Sequence, residues 1–181
     1  MKQISVILVL ALSLLGSSFG VSQAAETRNA ARPTGGTLNY GEYGRPATLD
    51  PITSNEMISM RISELLFNGL VGINERQDVV PELAQSWDAS KDGRVYTFSL
   101  RKDVTWHARE GEAAVPFTAN DVVFTYNMMM HPKTITPLKV RFEFIEKAEK
   151  LDDYTVRFTL KRPVLNALAK FSSFASSKAR P

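Results

Sequence analysis

Few side chains in this sequence are of a type and spacing that could break or make bonds. The chain has two histidines, His107 and His131, and no cysteine. With no H-x-x-x-H pair and no thiolate, a structural zinc site lacks its ligands. His131 stands against Pro132, and His107 reads as a surface residue at a strand end. Serine is plentiful, but no G-x-S-x-G elbow occurs and neither histidine has the setting of a triad base. Asp50, Asp92 and Asp121 each have a structural role available, in a pre-proline loop, a turn and a helix start, so paired-carboxylate hydrolysis is disfavoured. There is no G-x-G-x-x-G and no Walker loop, so nucleotide binding is unsupported. Met128-Met129-Met130 offers a soft apolar surface, better explained as packing at a helix end. Trp87 and Trp106 read as core aromatics. The pattern is that of a non-enzyme without metal or cofactor.

The elements that would position any site follow from periodicity. Gly35-Gly36 introduces a predicted strand, Thr37-Leu38-Asn39-Tyr40. A loop from Gly41 to Thr48 is closed by Leu49-Asp50-Pro51, extended because Asp precedes Pro. Ser54 or Asn55 can cap a helix through about Phe67, with Ile58, Ile62, Leu65 and Leu66 at helical spacing and Gly69 as its stop. From Leu70 to His107 the pattern is strands and turns. Tyr96, Phe98 and Leu100 alternate with Thr97, Ser99 and Arg101, as in a half-buried strand preceded by a Lys91-Asp92-Gly93 turn. Residues 108–114 form a polar loop. Thr118 and Asp121 make a capping box for a helix lined by Val122, Val123, Tyr126 and Met130 and ended by Pro132. Two strands flanking Asp152-Asp153 read as a hairpin, its second half alternating Tyr154, Val156, Phe158 and Leu160 with polar residues. Pro163 to Phe171 reads as a final short helix begun by proline. Ser172 to Pro181 shows no core-forming pattern.

The ends and the composition bound the setting. Lys2, the apolar run Ile4 to Leu15 and Ser22-Gln23-Ala24 have the form of a secretory signal cut after Ala24. A run of that length is short of the roughly 20 apolar residues a membrane-spanning helix needs. Residues 25–34 read as a flexible leader. Cleavage after Ala24 would leave roughly 157 residues, enough for a domain with a core of its own. The absence of cysteine rules out disulfides and the lipid-accepting residue of a lipoprotein, which favours a free periplasmic protein. The net charge of +3 is spread among interspersed acids and bases, so no nucleic-acid partner is expected.

Two blocks carry a family likeness. They are Val80-Pro81-Glu82-Leu83-Ala84-Gln85-Ser86-Trp87 with Tyr96 to His107, and Phe117-Thr118-Ala119-Asn120-Asp121-Val122-Val123-Phe124. Gly36-Thr37-Leu38, Thr48-Leu49-Asp50-Pro51, Glu64 to Val71 and Thr159 to Pro163 join them. Together these resemble the opening lobe of the family 5 extracellular solute-binding proteins, the peptide-, dipeptide- and nickel-type receptors of ABC importers. The resemblance implies an α/β fold, a mixed sheet with flanking helices, as a partial first lobe with an inserted subdomain over 35–171. It implies a monomeric periplasmic receptor that captures a short peptide or similar small solute and delivers it to inner-membrane ABC permease subunits. Tyr43, Thr53, Asn55 and Met57 are the ligand neighbours it suggests. The segment from Ala108 to Val115 is longer than the simplest family pattern. Full members are about three times this length, so residues 172–181 read as an irregular tail at a truncation. A receptor that closes two lobes on its ligand gains affinity from contacts to both, so this part alone is expected to bind weakly or not at all. The other readings are a periplasmic peptide-interaction or chaperone-like module and a non-functional truncated gene product.

Overall fold

The computed structural model describes residues 35–37, 39–54, 56–108 and 110–177. The expected signal segment 1–24 and leader 25–34 lie outside the described residues. The chain divides into a unit ending at Gly41 and a second unit from Glu42 onward. In the first, Thr37, Asn39 and Tyr40 are not in a strand. A strand exists only where a neighbouring edge takes its backbone groups, and an apolar alternation does not supply that edge.

In the second unit, helix α1 spans Met57–Leu66. Its N-cap is Glu56, not Ser54 as expected, while Asn55 lies outside the described residues. The Phe67 N–H closes the last turn onto the Ser63 carbonyl at 2.9 Å. Gly69 does not stop the helix through a left-handed conformation. Glycine is needed there because a Cβ would stand 2.3 Å from the Ser172 carbonyl oxygen. The expected apolar stripe of α1 is only partly covered: Ile58 is buried, but Leu65 is 68% and Leu66 51% exposed.

A two-stranded ribbon follows, β1 (Val71–Ile73) antiparallel to β2 (Val79–Pro81). The main sheet begins with β3 (Ala84–Ala89) and β4 (Val95–Leu100), with Trp87 opposite Phe98. Their turn is set by Ser90 and Asp92. The Ser90 hydroxyl donates to the Asp92 carboxylate at 2.5 Å, the bond chiefly responsible for holding that carboxyl below its usual range, and Gly93 takes the required positive φ of 67°. A small ribbon, β5 (Thr105–Trp106) with β6 (Val115–Pro116), brackets the expected loop. Helix α2 (Ala119–Met130) starts at the predicted capping box, where the Thr118 N–H donates to the Asp121 carboxylate at 2.9 Å. Its buried side is Ala119, Val122, Thr125, Tyr126 and Met129, so Met129 and not Met130 reaches deepest. A short helix α3 (Leu138–Phe142) precedes the predicted hairpin, β7 (Ile145–Asp152) and β8 (Thr155–Leu160).

The main sheet has the order β3-β4-β8-β7. The fold is α/β in content, and every strand pairing among the described residues is antiparallel. Short turns join the two hairpins, and a two-residue connection can return a strand only antiparallel. Tyr96, Phe98 and Leu100 of β4 share a face with Val156, Phe158 and Leu160 of β8, paired Tyr96 to Phe158 and Phe98 to Val156. The opposite face carries Thr97, Ser99, Thr155 and Arg157, the polar side of a sheet covered once.

The covering layer holds the largest departure from expectation. The helix foreseen from Pro163 is only α4 (Ala167–Lys170), because Asn166 adopts a left-handed conformation (φ 55°) and delays its start. A 3-10 turn over Phe171–Ser173 follows. Phe171 is fully buried, with ring centroids 4.9 Å from both Phe98 and Phe158 and 6.4 Å from Phe142. Phe174 lies in the stretch that showed no core pattern, yet it is 1% exposed and 5.3 Å from Phe142. A single aromatic among serines and alanines has no periodicity to betray it. Truncating Phe171 to alanine should cost about 3–5 kcal/mol in urea denaturation. Leu165, 87% exposed, should lose less than about 0.5 kcal/mol when truncated in the same way. Equal losses would overturn this account of the core.

Candidate functional site

The segment from Glu42 to Thr48 has no regular structure and is held by side chains of α1 and of its N-cap residue, Glu56. The Glu56 carboxylate accepts from the Ala47 N–H at 2.6 Å and from the Ser59 hydroxyl at 2.7 Å. The Thr48 N–H reaches the Ser59 hydroxyl at 3.3 Å. Arg61 donates to the Glu42 carboxylate at 3.3 Å and to the Met57 sulfur at 3.1 Å. Gly44 lies so close to α1 that a Cβ would meet the Ile58 side chain at 2.9 Å. Glu56 is held below the usual carboxylate range, first by the Ala47 bond and then by the Ser59 bond.

Three of the four suggested ligand neighbours can be placed on this frame. Tyr43 is 84% and Met57 59% exposed, and Arg61 ties Met57 to Glu42, the neighbour of Tyr43. Thr53 is occupied elsewhere: its hydroxyl donates to Asp50 at 2.9 Å within a turn that also binds the Ile52 N–H. Asn55 lies outside the described residues. Thus Tyr43 and Met57 stand near one structural tie, while Thr53 belongs to a separate turn.

Tyr43, Thr53 and Met57 do not line a large concavity nearby. That is a cleft of about 580 Å³ walled by α1, β1, α3 and the 3-10 turn. Met60, Phe67, Ile73 and Leu138 supply apolar surface, and Glu64 and Arg141 supply opposite charges. Ser54 and Ser63 line it as well, 4% and 7% exposed, and neither hydroxyl has a hydrogen-bond partner. Glu82, also in the wall, is occupied by Asn68 at 2.6 Å and the Gly69 N–H at 3.0 Å. The family resemblance points to Thr53 and Asn55, while the cleft is lined by Ser54, which stands between them in the chain. The signal for Ser63 is a small polar residue on the face of α1 that buries Ile58 and Ser59, where an apolar residue would ordinarily sit. A second hollow of about 80 Å³ beside Trp106 and Ser176 has the scale of a few waters. Among the described residues no group of three or more His, Cys, Asp or Glu side chains is placed to hold a metal ion. No described helix is long and apolar enough to cross a membrane.

Comparison with known proteins decides the family. The model for bacterial extracellular solute-binding proteins, family 5 Middle, matches residues 78–180. The chain belongs to this family. Oligopeptide-binding protein AliB of Streptococcus pneumoniae is 30% identical over 180 residues, covering 91% of this chain and 27% of AliB. Di/tripeptide-binding protein 2 of Pseudomonas aeruginosa is 38% identical over 172 residues, 87% of this chain and 31% of that protein. Among solved structures, the ABC transporter-associated periplasmic binding protein DppA from Helicobacter pylori, in complex with peptide STSA, superposes with a TM-score of 0.62 at 34% identity. That superposition covers 71% of this chain and 28% of DppA. The chain therefore spans roughly a third or less of the length of these relatives. Family 5 comprises solute-binding proteins and not enzymes, which removes the catalytic rivals, and the chain has the α/β build expected of part of such a receptor.

The ties between Glu56 and the Glu42–Thr48 segment generate a pH prediction. A carboxylate whose folded pKa is depressed stabilises the folded arrangement above its unfolded pKa, and that contribution fades as pH falls through the folded value. Below its ordinary value of 4.5, the Ala47 and Ser59 bonds should progressively open. The Ala47 amide resonance in NMR should therefore move toward its random-coil position on acidification. In Glu56→Gln this titration should vanish, and its persistence would assign the effect to another group.

Proposed function

We propose that this chain is part of the first lobe of a periplasmic substrate-binding component of an ABC importer that captures a short peptide or similar small solute. The observation that carries the reading is the match of residues 78–180 to the family 5 model. The names of relatives support the peptide class, two of them stating oligopeptide and di/tripeptide binding and a third structure holding a peptide. The partners in this reading are the solute and the inner-membrane permease subunits, with the receptor acting as a monomer. The signal-like segment Met1 to Ala24 supports export to the periplasm.

The reading also makes this chain one portion of a longer fold. The uncovered apolar side chains of α1, Leu65 and Leu66, support this, as does the one-quarter to one-third share of the relatives' length. A two-lobe receptor derives its affinity from contacts that exist only when both lobes close on the ligand. One lobe leaves the solute half solvated.

Calorimetry with di- and tripeptides should accordingly give dissociation constants weaker than about 100 µM for this chain alone, on the order of 5 kcal/mol of binding free energy. Micromolar binding would overturn the need for a second lobe. The transport role is tested at the gene locus. Coding sequence for the remainder of the fold, followed by permease genes, is expected there, and an isolated gene without either would sink the importer reading.

A further inference from the structure

Two polar groups from distant parts of the chain line one hollow, buried and without a partner. They are the indole N–H of Trp106, on β5, and the hydroxyl of Ser176, just beyond the 3-10 turn. Neither makes a hydrogen bond among the described residues, and Ser176 as a whole is only 3% exposed. A buried donor left unpaired forfeits its solvation, and native structures keep few such groups.

Both groups are held in place. The Trp106 ring stands edge-on to Phe117, with centroids 5.9 Å apart and planes at 67°, and Trp106 pairs with Val115 across the small ribbon. Ser176 sits between two anchors. Phe174 is buried in the aromatic core. On the other side, the Ser177 N–H donates to the Thr125 hydroxyl at 2.8 Å, and that hydroxyl lies 3.2 Å from the Ser177 carbonyl oxygen. Thr125 is itself fully buried on α2. The segment therefore cannot carry the Ser176 hydroxyl out to solvent without breaking both anchors.

Chemistry and size select the occupant. An indole N–H only donates, whereas a hydroxyl donates and accepts. A molecule that joins them must accept from one and be able to do either with the other. The hollow of about 80 Å³ is larger than the roughly 10–15 Å³ that one water needs and smaller than the roughly 300 Å³ of a small-molecule site. Leu66, Leu83, Val104 and Phe117 make part of its lining apolar, while Asn68 and Thr105 are further polar residues there.

We propose that this hollow is an interior hydration site, in which an ordered water accepts from the Trp106 indole N–H and hydrogen-bonds the Ser176 hydroxyl. It joins the β5–β6 ribbon to the segment after the 3-10 turn. The site stands apart from the importer reading and holds whatever solute the receptor carries.

The test has two arms on the 181-residue chain. In urea denaturation, Ser176→Ala should raise the unfolding constant roughly fivefold, because it deletes a hydroxyl that the water satisfies. A dry hollow predicts the reverse sign, since alanine would then remove an unpaired polar group, and a lowered constant would overturn the proposal. The second arm is a rotating-frame NMR measurement between water and the Trp106 indole proton, which needs no variant to fold. A cross-peak opposite in sign to the diagonal is expected at the water frequency, and its absence would sink the hydration site. In Ser176→Ala the cross-peak should persist, because the indole still donates. Its loss there would make the signal a relay through the serine hydroxyl and would equally overturn the bound water.

Discussion

The ring of Phe171 is the contact on which the arrangement depends. It meets Phe98 and Phe158, from neighbouring strands of the sheet, at 4.9 Å each, and reaches Tyr96, Phe142, Phe144 and Phe174 within 6.4 Å. Edge and tilted ring contacts add to the burial of large apolar surface. More important is what Phe171 brings with it. The backbone beyond it is set down on Gly69, and the Ser177 N–H bonds to the Thr125 hydroxyl of α2 at 2.8 Å. One buried side chain thereby fixes an irregular segment that regular hydrogen bonding would not hold.

That segment is also a wall of the cleft. Ser172, Ser173 and Ala175 line it opposite α1, so the site is formed where the dense aromatic core meets a lightly covered helix. The contrast between these two zones is physical. The sheet buries Phe98, Leu100, Val156, Phe158 and Leu160 completely. Helix α1 buries only Ile58 with two serines, while Met57, Leu65 and Leu66 stay exposed and Met60 lines the cleft. A tightly packed sheet with a loosely covered helix beside it provides a rigid platform and an adaptable rim, which suits binding better than bond chemistry.

The charged and polar groups fit that division. Those of Glu42 to Thr48 are spent on holding backbone, with Glu56, Ser59 and Arg61 each satisfied. In the cleft, Glu82 is likewise held by Asn68 and the Gly69 N–H, whereas the Ser54 and Ser63 hydroxyls have no partner. In the proposed role, the first set positions exposed residues such as Tyr43.

Much of the scaffold was legible in the chain itself. The hairpin about Asp152-Asp153, the strand after the Lys91-Asp92-Gly93 turn and the capping box at Thr118 and Asp121 follow from local periodicity and short-range hydrogen bonds, which a sequence states directly. The family was legible for the same reason, since its motifs are contiguous runs over those elements. Tertiary structure alone decided that Thr37, Asn39 and Tyr40 would not lie in a strand and that Asn166 would shorten the helix after Pro163. It alone brought Phe174 into the core and left Ser54 and Ser63 facing one cleft unpaired. These outcomes depend on which surfaces meet across a hundred or so residues of chain, and burial created by such meetings leaves no period in the sequence.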